Sequence, residues 1–240
     1  MKFKSILLLL FCCQVGFAQL SDLTLSVMNQ LNIEEEDCDG LFAEMELPNG
    51  KNETVVVIPK IGEQDEDYTA LDSYVALVNN KTNEIKSLFF ESHETNGWQS
   101  DAIFIYEISI DTTSYMVDNN SRAFGVILHS RNMSQPNPYY DKSISLFIQH
   151  GDSLQNVLKN FEIYSYGGET DMKCYGDFYE SEKSLTPSKN KTNGFYDIEV
   201  TNTIKEIQFR KNEGECNKSI ASTKVVKSVL EFVNGKYILK

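Results

Sequence analysis

Carboxylates that can converge are the first candidates for chemistry in this sequence. Four of them, with one arginine, stand beside the predicted ends of central strands and in a glycine-rich corner: Asp101, Asp111, Glu169 and Asp171, with Arg122. Two carboxylates held at a suitable separation can cleave a glycosidic bond. On an acidic surface the same residues more often cap turns or pair with lysine and arginine. A carboxylate-based glycan hydrolase is therefore an alternative rather than the leading hypothesis.

Aromatic residues near the same segments predict a second kind of site. Trp98, Tyr139 and Tyr140 offer flat apolar faces that can stack on sugar rings, and Ser100 precedes Asp101. Aromatic side chains in β-proteins are also common in cores and cross-strand pairs, so both interpretations stay open. The predicted binding set, with no catalytic residue assigned, is Trp98, Ser100, Asp101, Asp111, Arg122, Tyr139, Tyr140, Glu169 and Asp171.

An acidic run near the amino terminus has the spacing of a calcium-binding loop. Glu35, Asp37 and Asp39 alternate before a glycine, and Glu46 follows further on. Calcium takes about six to eight oxygen ligands, and carboxylates at alternate positions can supply several of them. Residues 41–47 alternate like a strand, however, whereas a helix leaves an EF-hand loop. Calcium is the one cofactor that the sequence suggests, and a solvated acidic linker is the alternative.

A serine motif at residues 151–154 resembles the nucleophile block of GDSL-type esterases. It reads Gly-Asp-Ser-Leu and follows an apolar run. That family places its catalytic histidine far downstream of the serine, and a hydroxyl without a base is not activated. All histidines of this chain precede Ser153: His93, His129 and His150. The preferred interpretation is a turn, capped by Asp152 or Ser153, that leads into a short helix over 155–160.

The charge balance restricts the partners. The formal net charge is −13 at pH 7, and such a surface repels nucleic-acid phosphates and anionic lipid headgroups. The sequence also contains no zinc-ligand spacing, phosphate loop or dinucleotide fingerprint. We therefore expect no nucleic-acid partner, and an unidentified protein or glycan remains.

The amino terminus predicts export. Residues 1–18 combine a positive start, an apolar run over 6–15 and a Gly-Phe-Ala cleavage site, so that the mature chain begins at Gln19. The apolar run is shorter than the roughly 20 residues that span a bilayer, and no later segment is apolar enough. We predict a secreted or periplasmic protein without a membrane span after cleavage.

Three cysteines remain after cleavage, in a compartment that favours disulfides: Cys38, Cys174 and Cys216. Cys174 and Cys216 both lie in polar, turn-rich segments, where a bridge disturbs little packing. We therefore favour this pair, although pairings through Cys38 stay open.

Period-two hydrophobic patterns indicate strands along most of the chain. The stretch from Trp98 to Arg131 predicts two buried antiparallel strands, with these residues on the core face: Ala102, Phe104, Tyr106, Ile108 and Ile110. Hairpins are expected over 72–90 and at Asn234-Gly235. A short helix should begin behind Ser21.

These elements predict one mainly β domain. About twelve strands at regular spacing, with almost no helix, are typical of an antiparallel sandwich or barrel-like fold. We assign residues 19–39 to the short helix and an acidic linker, and residues 40–240 to the single β-rich domain.

Five short segments resemble a family of uncharacterised exported bacterial proteins. They are Trp-Gln-Ser-Asp-Ala at 98–102, Arg-Ala-Phe-Gly-Val at 122–126, Asn-Pro-Tyr at 137–139, Gly-Glu-Thr-Asp at 168–171 and Cys-Tyr-Gly-Asp-Phe at 174–178. The resemblance covers residues 70–216, with Thr170 standing where the family has an aromatic residue. It implies export and one continuous domain, but no mechanism.

The leading hypothesis is a secreted or periplasmic β-rich binding protein that is not a catalyst. The alternatives are an inhibitor or accessory factor of a cell-envelope enzyme and the glycan hydrolase described above. The leading hypothesis depends on the lack of a complete catalytic constellation in the sequence, because fold alone does not assign function.

Overall fold

Strands make up most of the computed structural model, which describes residues 20–48 and 51–240. The predicted signal segment and the mature start at Gln19 lie outside the described residues. The helical elements are α1 (Asp22–Leu31), a 3-10 turn (Glu35–Asp37) and α2 (His93–Asn96). The strands are β1 (Ala43–Glu46), β2 (Glu53–Gln64), β3 (Thr69–Asn79), β4 (Ile85–Glu91), β5 (Gln99–Ser100), β6 (Phe104–Met116), β7 (Arg122–Arg131), β8 (Tyr139–His150), β9 (Ser153–Thr170), β10 (Gly176–Thr192), β11 (Phe195–Asn212), β12 (Glu215–Val233) and β13 (Lys236–Leu239). Strand accounts for 68% and helix for 8%, so the predicted mainly β fold with a short N-terminal helix is confirmed.

The described strands form one sheet that is antiparallel almost throughout. Its main path runs β1-β2-β3-β4-β9-β10-β11-β12-β13, and β8, β7 and β6 follow one another from β9. The parallel contact joins β4 to β9 at Leu88 and Ser153. The sheet is open, because its path does not close on itself.

Three apolar clusters hold the sheet in layers, because several strands bury residues on both faces. Val57 of β2 and Phe147 of β8 belong to the first cluster, between β1–β4 and β6–β8. Leu146 of β8 turns the other way, into a second cluster with residues of β9, β11, β12 and β13. Ile58 of β2 packs in the third, beneath α1. The strands β2 and β8 are therefore covered by apolar layers on both faces.

The N-terminal helix forms as its sequence predicts. The Ser21 side chain accepts a hydrogen bond from the Thr24 N–H at 3.0 Å, which caps the first turn. Asn32 ends the helix in the left-handed conformation. Val27 and Met28 are buried against β2 and β3, so α1 covers one face of the first strands.

The predicted antiparallel strands between Trp98 and Arg131 are β6 and β7, but the predicted core face is wrong at its first half. A β-bulge lies between Ile105 and Glu107, opposite Ser130 and His129. One extra residue reverses the alternation. Ile105 is consequently buried, whereas Phe104 and Tyr106 leave the core face and are only half-buried.

The helix predicted over 155–160 is also wrong, because this segment belongs to strand β9. Gly151, at φ 64°, supports a tight turn that joins β8 directly to β9. The alternating residues after the turn continue as a strand, with Leu154 and Val157 buried. The hairpins predicted over 72–90 and at Asn234-Gly235 are confirmed as β3–β4 and β12–β13.

The strands β10, β11 and β12 form a long ribbon that a cysteine pair fastens near its tip. Cys174 and Cys216 lie at disulfide distance, with their Cα atoms 5.4 Å apart, and they are the pair favoured from the sequence. Cys38 is a free thiol. The guanidinium of Arg210 donates to the Gly176 carbonyl at 2.8 Å and to the Asp177 carboxylate at 2.5 Å. The loop before β10 and the start of β12 are thereby held together.

Neither described helix is long and apolar enough to cross a membrane.

Candidate functional site

A row of tyrosines crosses neighbouring strands on one face of the sheet. In the register, Tyr140 of β8 pairs with Tyr166 of β9, which pairs with Glu180 of β10. Two residues along, Lys142 pairs with Tyr164. Residues that are two apart in a strand point to the same face, so these side chains share one surface.

The bulge in β6 adds a further tyrosine to this surface. It turns Tyr106 towards Arg131 of β7, whose guanidinium carbon lies 4.8 Å from the centre of the Tyr106 ring. Arg131 itself pairs with Tyr140 in the β7–β8 register. The tyrosines and their charged neighbours line a groove of about 430 Å³, called here the tyrosine groove: Tyr106, Tyr140, Asp141, Lys142, Tyr164, Tyr166, Glu180 and Lys218.

Ring geometry keeps part of each tyrosine available at the groove. Tyr140 is 39% exposed, and its ring centre lies 6.1 Å from that of Tyr166 in a tilted arrangement. Tyr166 stacks on Phe178 at 5.4 Å, which fixes its orientation. The Lys142 ammonium lies 5.7 Å from the Tyr164 ring centre. The wall is therefore aromatic, and Phe178 supports it from the side on the same face.

Three phenols of the groove, those of Tyr106, Tyr164 and Tyr166, are neutral at physiological pH. Burial raises the pKa of Tyr106, Tyr164 and Tyr166 above the ordinary value for tyrosine. A neutral phenol both donates and accepts hydrogen bonds. The groove thus combines apolar ring faces with uncharged polar edges.

Charged groups stand at the margins of the groove. Glu180 is paired with Lys205 of β11 at 2.6 Å. The pKa of Asp141 is raised, mainly by burial and to a smaller extent by the nearby carboxylate of Glu162. A hydrogen bond from Ser130 opposes this shift. Glu180 can exchange hydrogen bonds with a polar ligand beside the aromatic wall, whereas the side chain of Asp141, next to Tyr140 in β8, points to the other face.

A serine, a histidine and a glutamate lie next to the groove. The Ser109 hydroxyl is 2.7 Å from Nε2 of His129, and the Glu107 carboxylate is 3.9 Å from Nδ1. Burial lowers the pKa of His129, so the ring is neutral near pH 7. A nearby neutral imidazole meets one requirement for activating a hydroxyl, but Glu107 lies beyond hydrogen-bond range and does not orient the ring. The geometry supports a hydrogen-bonded pair that holds the ring near Tyr106, rather than a complete catalytic triad.

Of the predicted aromatic platform, Tyr140 alone lies in the tyrosine groove. Trp98 is 4% exposed and packs in the first apolar cluster. Tyr139 precedes Tyr140 in the strand and pairs with Gly167, which places it on the other face. Burial raises the pKa of Tyr139 to about 12.

The polar residues predicted beside Trp98 hold a turn. The Ser100 hydroxyl accepts from the Ile105 N–H at 3.0 Å, and the Asp101 carboxylate accepts from the Ile103 N–H at 2.8 Å. Both side chains therefore shape the connection into β6.

The four predicted carboxylates do not all converge on one cleft. Asp111 pairs with Gly125 of β7, which pairs with Leu146 of β8. Glu169 lies two residues past Gly167, the partner of the first residue of β8, so its row falls before that strand begins. Their rows are about nine residues apart along the strands, or roughly 30 Å at the usual rise per residue. Asp111 and Glu169 thus lie towards opposite ends of the sheet.

The predicted charged residues Asp111, Arg122 and Asp171 each have local hydrogen-bond partners. The Tyr115 hydroxyl donates to Asp111 at 2.7 Å, and Arg122 donates to the Thr112 carbonyl. The Asp171 carboxylate accepts from three successive backbone N–H groups, which lower its pKa. Glu169 and Asp171 line a separate, shallow depression.

The predicted calcium ligands do not form a loop. Glu35 and Asp37 lie in the 3-10 turn, the Asp37 carboxylate pairs with Lys60 at 3.5 Å, and Glu46 is in β1. The Asp39 N–H bonds to the Pro59 carbonyl. Across residues 20–48 and 51–240, no group of three or more His, Cys, Asp or Glu is placed to hold a metal ion.

The serine of the Gly-Asp-Ser-Leu motif has no imidazole partner in the described chain. The Ser153 hydroxyl donates to the backbone carbonyl of His150 at 2.9 Å. The bond stabilises the β8–β9 turn.

Sequence reasoning missed most of the tyrosine groove. Tyr164 and Tyr166 alternate in a strand, which was a usable signal for two rings on one face. Tyr106 was placed on the core face because its sequence gives no sign of the bulge. Tyr106 and Glu180 come together with these rings only through the pairing of distant strands.

Comparison of the chain with protein-family models, with characterised proteins and with solved structures finds no match, so its function is argued from its own geometry.

Proposed function

We propose that this is an exported, non-catalytic binding protein that takes an extended glycan into the tyrosine groove. The observation that carries the proposal is the presence of four tyrosine rings in one open groove: Tyr106, Tyr140, Tyr164 and Tyr166. A sugar ring has an apolar face of C–H groups and a rim of hydroxyls. The groove offers aromatic faces for the first and neutral phenols for the second.

The size and charge of the groove favour a neutral glycan over other ligands. Its volume of about 430 Å³ lies within the usual range of small-ligand sites. Glu180 contributes an acidic group, whereas Lys142 lies over an aromatic ring. With a net charge of −13, the whole chain repels polyanions at long range. Sugar hydroxyls can bond to both kinds of charged group.

Export is part of the proposal. It is supported by the amino-terminal signal pattern at residues 1–18 and by the Cys174–Cys216 pair at disulfide distance. Disulfides persist mainly outside the reducing cytosol. The proposed place of action is therefore the periplasm or the cell exterior.

The binding proposal is tested by calorimetric titration with defined oligosaccharides. Suitable probes are β-1,4-linked and β-1,3-linked glucose oligomers, N-acetylglucosamine oligomers and xylose oligomers. Tyr140→Ala and Tyr166→Ala should each weaken binding roughly two- to twelvefold, because one aromatic contact contributes about 0.5–1.5 kcal/mol.

Tyr179→Ala is the matched control. Tyr179 is 43% exposed, close to the 39% of Tyr140, but it pairs with Gly167 and lies on the other face. Its replacement should leave the affinity unchanged. An absence of binding by any of the probes, or equal losses in Tyr140→Ala and Tyr179→Ala, would count against the proposal.

A further inference from the structure

One edge of β12 is unpaired over most of its length. β12 pairs with β11 on one side, whereas β13 covers only residues 230–233 on the other, with the Lys240 N–H bonded to the Val229 carbonyl. Within the described part of the chain, residues 217–228 therefore have no strand on the side away from β11. This segment is called here the free edge of β12.

The free edge of β12 is exposed on both faces of the strand. Ile220 and Val225 are each 57% exposed, and Val226 is 38% exposed. Proteins usually protect unpaired edges with bulges, lysines or short strands. The register leaves Ala221 unpaired, as a bulge that protects the edge. Protection does not, however, explain why the unpaired edge is twelve residues long or why it exposes three aliphatic side chains. Such an edge is suited to accepting another strand.

The charge of the free edge selects the kind of strand. It carries Lys218, Lys224 and Lys227 and contains no aspartate or glutamate, although the chain has a net charge of −13. Opposite charges across an interface speed association and exclude wrong partners. A second copy of this chain would bring the same lysines to the contact. An acidic strand complements it better.

The free edge is also held in shape before any partner arrives. The Cys174–Cys216 pair fastens its beginning, and the Arg210 guanidinium, bonded to Asp177, lies 4.1 Å from the Tyr175 ring centre. A binding surface that is already ordered loses less entropy on association.

We propose that the free edge of β12 binds an extended acidic segment of a partner polypeptide by β-strand addition. Main-chain N–H and C=O groups of residues 217–228 bond to the incoming strand. Lys224 and Lys227 contact its carboxylates, and Val225 and Val226 contact apolar side chains on its two faces. The proposal does not depend on the tyrosine groove.

The test selects peptides from a random 12-residue phage library on the exported chain. The enriched peptides are then synthesised with a fluorescent label and titrated. They should be net negative with β-branched residues between the acids, and binding should protect from hydrogen exchange those amides of 217–228 that point away from β11.

Two charge-reversal variants locate the contact. Lys224→Glu with Lys227→Glu should weaken the selected peptides at least tenfold. Lys81→Glu with Lys189→Glu gives the same net charge at exposed positions elsewhere, and it should change the affinity less than twofold.

Several results would overturn the proposal: no enriched peptide, enrichment of neutral or basic peptides, or equal effects of the two variants. A dimer of the unliganded protein in analytical ultracentrifugation, with the same amides protected, would assign the edge to a second copy instead. The two surfaces share Lys218, but the glycan titrations report on Tyr140 and Tyr166 and the charge reversals on Lys224 and Lys227, so either proposal can fail without the other.

Discussion

Replacing Asn96 by alanine should lower the free energy of unfolding by about 3–5 kcal/mol. Asn96 ends α2 and is 1% exposed. Its side-chain amide donates to the Leu71 carbonyl at 2.7 Å and to the Ser73 hydroxyl at 3.1 Å, and its oxygen accepts from the Trp98 N–H at 2.8 Å. The residue therefore fastens α2 and the entry to β5 onto β3.

The magnitude follows from the bonds that alanine removes. Each intramolecular hydrogen bond contributes about 0.5–1.5 kcal/mol, and a buried polar group left unpaired costs about 1–3 kcal/mol. The amide loses its contacts to Leu71, to Ser73 and, at 3.3 Å, to the Glu91 carbonyl, and the Trp98 N–H keeps no partner from Asn96. The Asn160 side chain, which donates to the Asn96 backbone carbonyl at 2.7 Å, keeps its bond in the variant.

The assay is urea unfolding followed by tryptophan fluorescence. Trp98 is the single tryptophan of the chain and is 4% exposed, so its emission reports the opening of this region. Asn190→Ala, at an exposed position of β10, is the control and should change stability by less than about 0.5 kcal/mol.

Asn96→Asp separates hydrogen bonding from packing. It keeps the shape, but an ionised carboxylate cannot donate to the Leu71 carbonyl. Its loss of stability should be large at neutral pH and should shrink as the pH falls and the carboxyl gains a proton. A loss below about 1 kcal/mol for Asn96→Ala, where the bonding energies predict more, would refute the reasoning. So would a loss in Asn96→Asp that does not change with pH.

Three further predictions concern the cysteine pair and two titrating groups. Cys174→Ser with Cys216→Ser opens a loop of sequence separation 42, so the free energy of unfolding should fall by about 4 kcal/mol on the chain-entropy model; equal urea midpoints with and without the pair would contradict this. Burial lowers the pKa of His129, so stability should be lost as the pH falls from the ordinary histidine value of 6.5 towards the folded value. His129→Gln should reduce the dependence of the melting temperature on pH in this range. An unchanged pH dependence would exclude His129 as its cause. Burial raises the pKa of Asp141, so its charge opposes folding at neutral pH and this effect fades as the pH falls through the folded value. Asp141→Asn should raise the melting temperature at pH 7 but not below pH 3.8, the ordinary pKa of an aspartate. An equal rise in melting temperature at both pH values would show that the stabilisation does not come from removing the charge.

Local signals were enough to predict the separate elements of the fold. Ser21 followed by apolar residues at helical spacing predicted α1, and Asn234-Gly235 predicted the last hairpin, because both depend on a few adjacent residues. The pairing of Cys174 with Cys216 was favoured because both cysteines lie in turns. These features need no knowledge of distant contacts.

The parts that sequence reasoning missed depend on register. One extra residue at the bulge between Ile105 and Glu107 moved Tyr106 from the predicted core face to the groove. The residues after Gly151 were read as helical, although β8 and β4 supply strand partners for β9. Whether such an ambiguous segment forms a helix or a strand depends on its cross-strand partners. The residue pattern of the segment itself does not reveal those partners.

The candidate site was predicted less well than the fold for the same reason. The carboxylates Asp111 and Glu169 looked equivalent in the sequence, but strand order and register place them towards opposite ends of the sheet. Tyr140 was predicted as a binding residue and lies in the groove, while its partner across the strands, Tyr166, was not considered. A site built from several strands is defined by pairings that span long stretches of sequence.

The most direct measurement of the central claim is an NMR titration of protein with isotope-labelled tyrosine rings against the oligosaccharide panel. The account predicts that one class of glycan shifts the ring signals of the four groove tyrosines: Tyr106, Tyr140, Tyr164 and Tyr166. The signals of Tyr175 and Tyr179, which are exposed outside the groove, should stay in place. Shifts confined to Tyr175 or Tyr179, or no shift with any glycan in the panel, would contradict it.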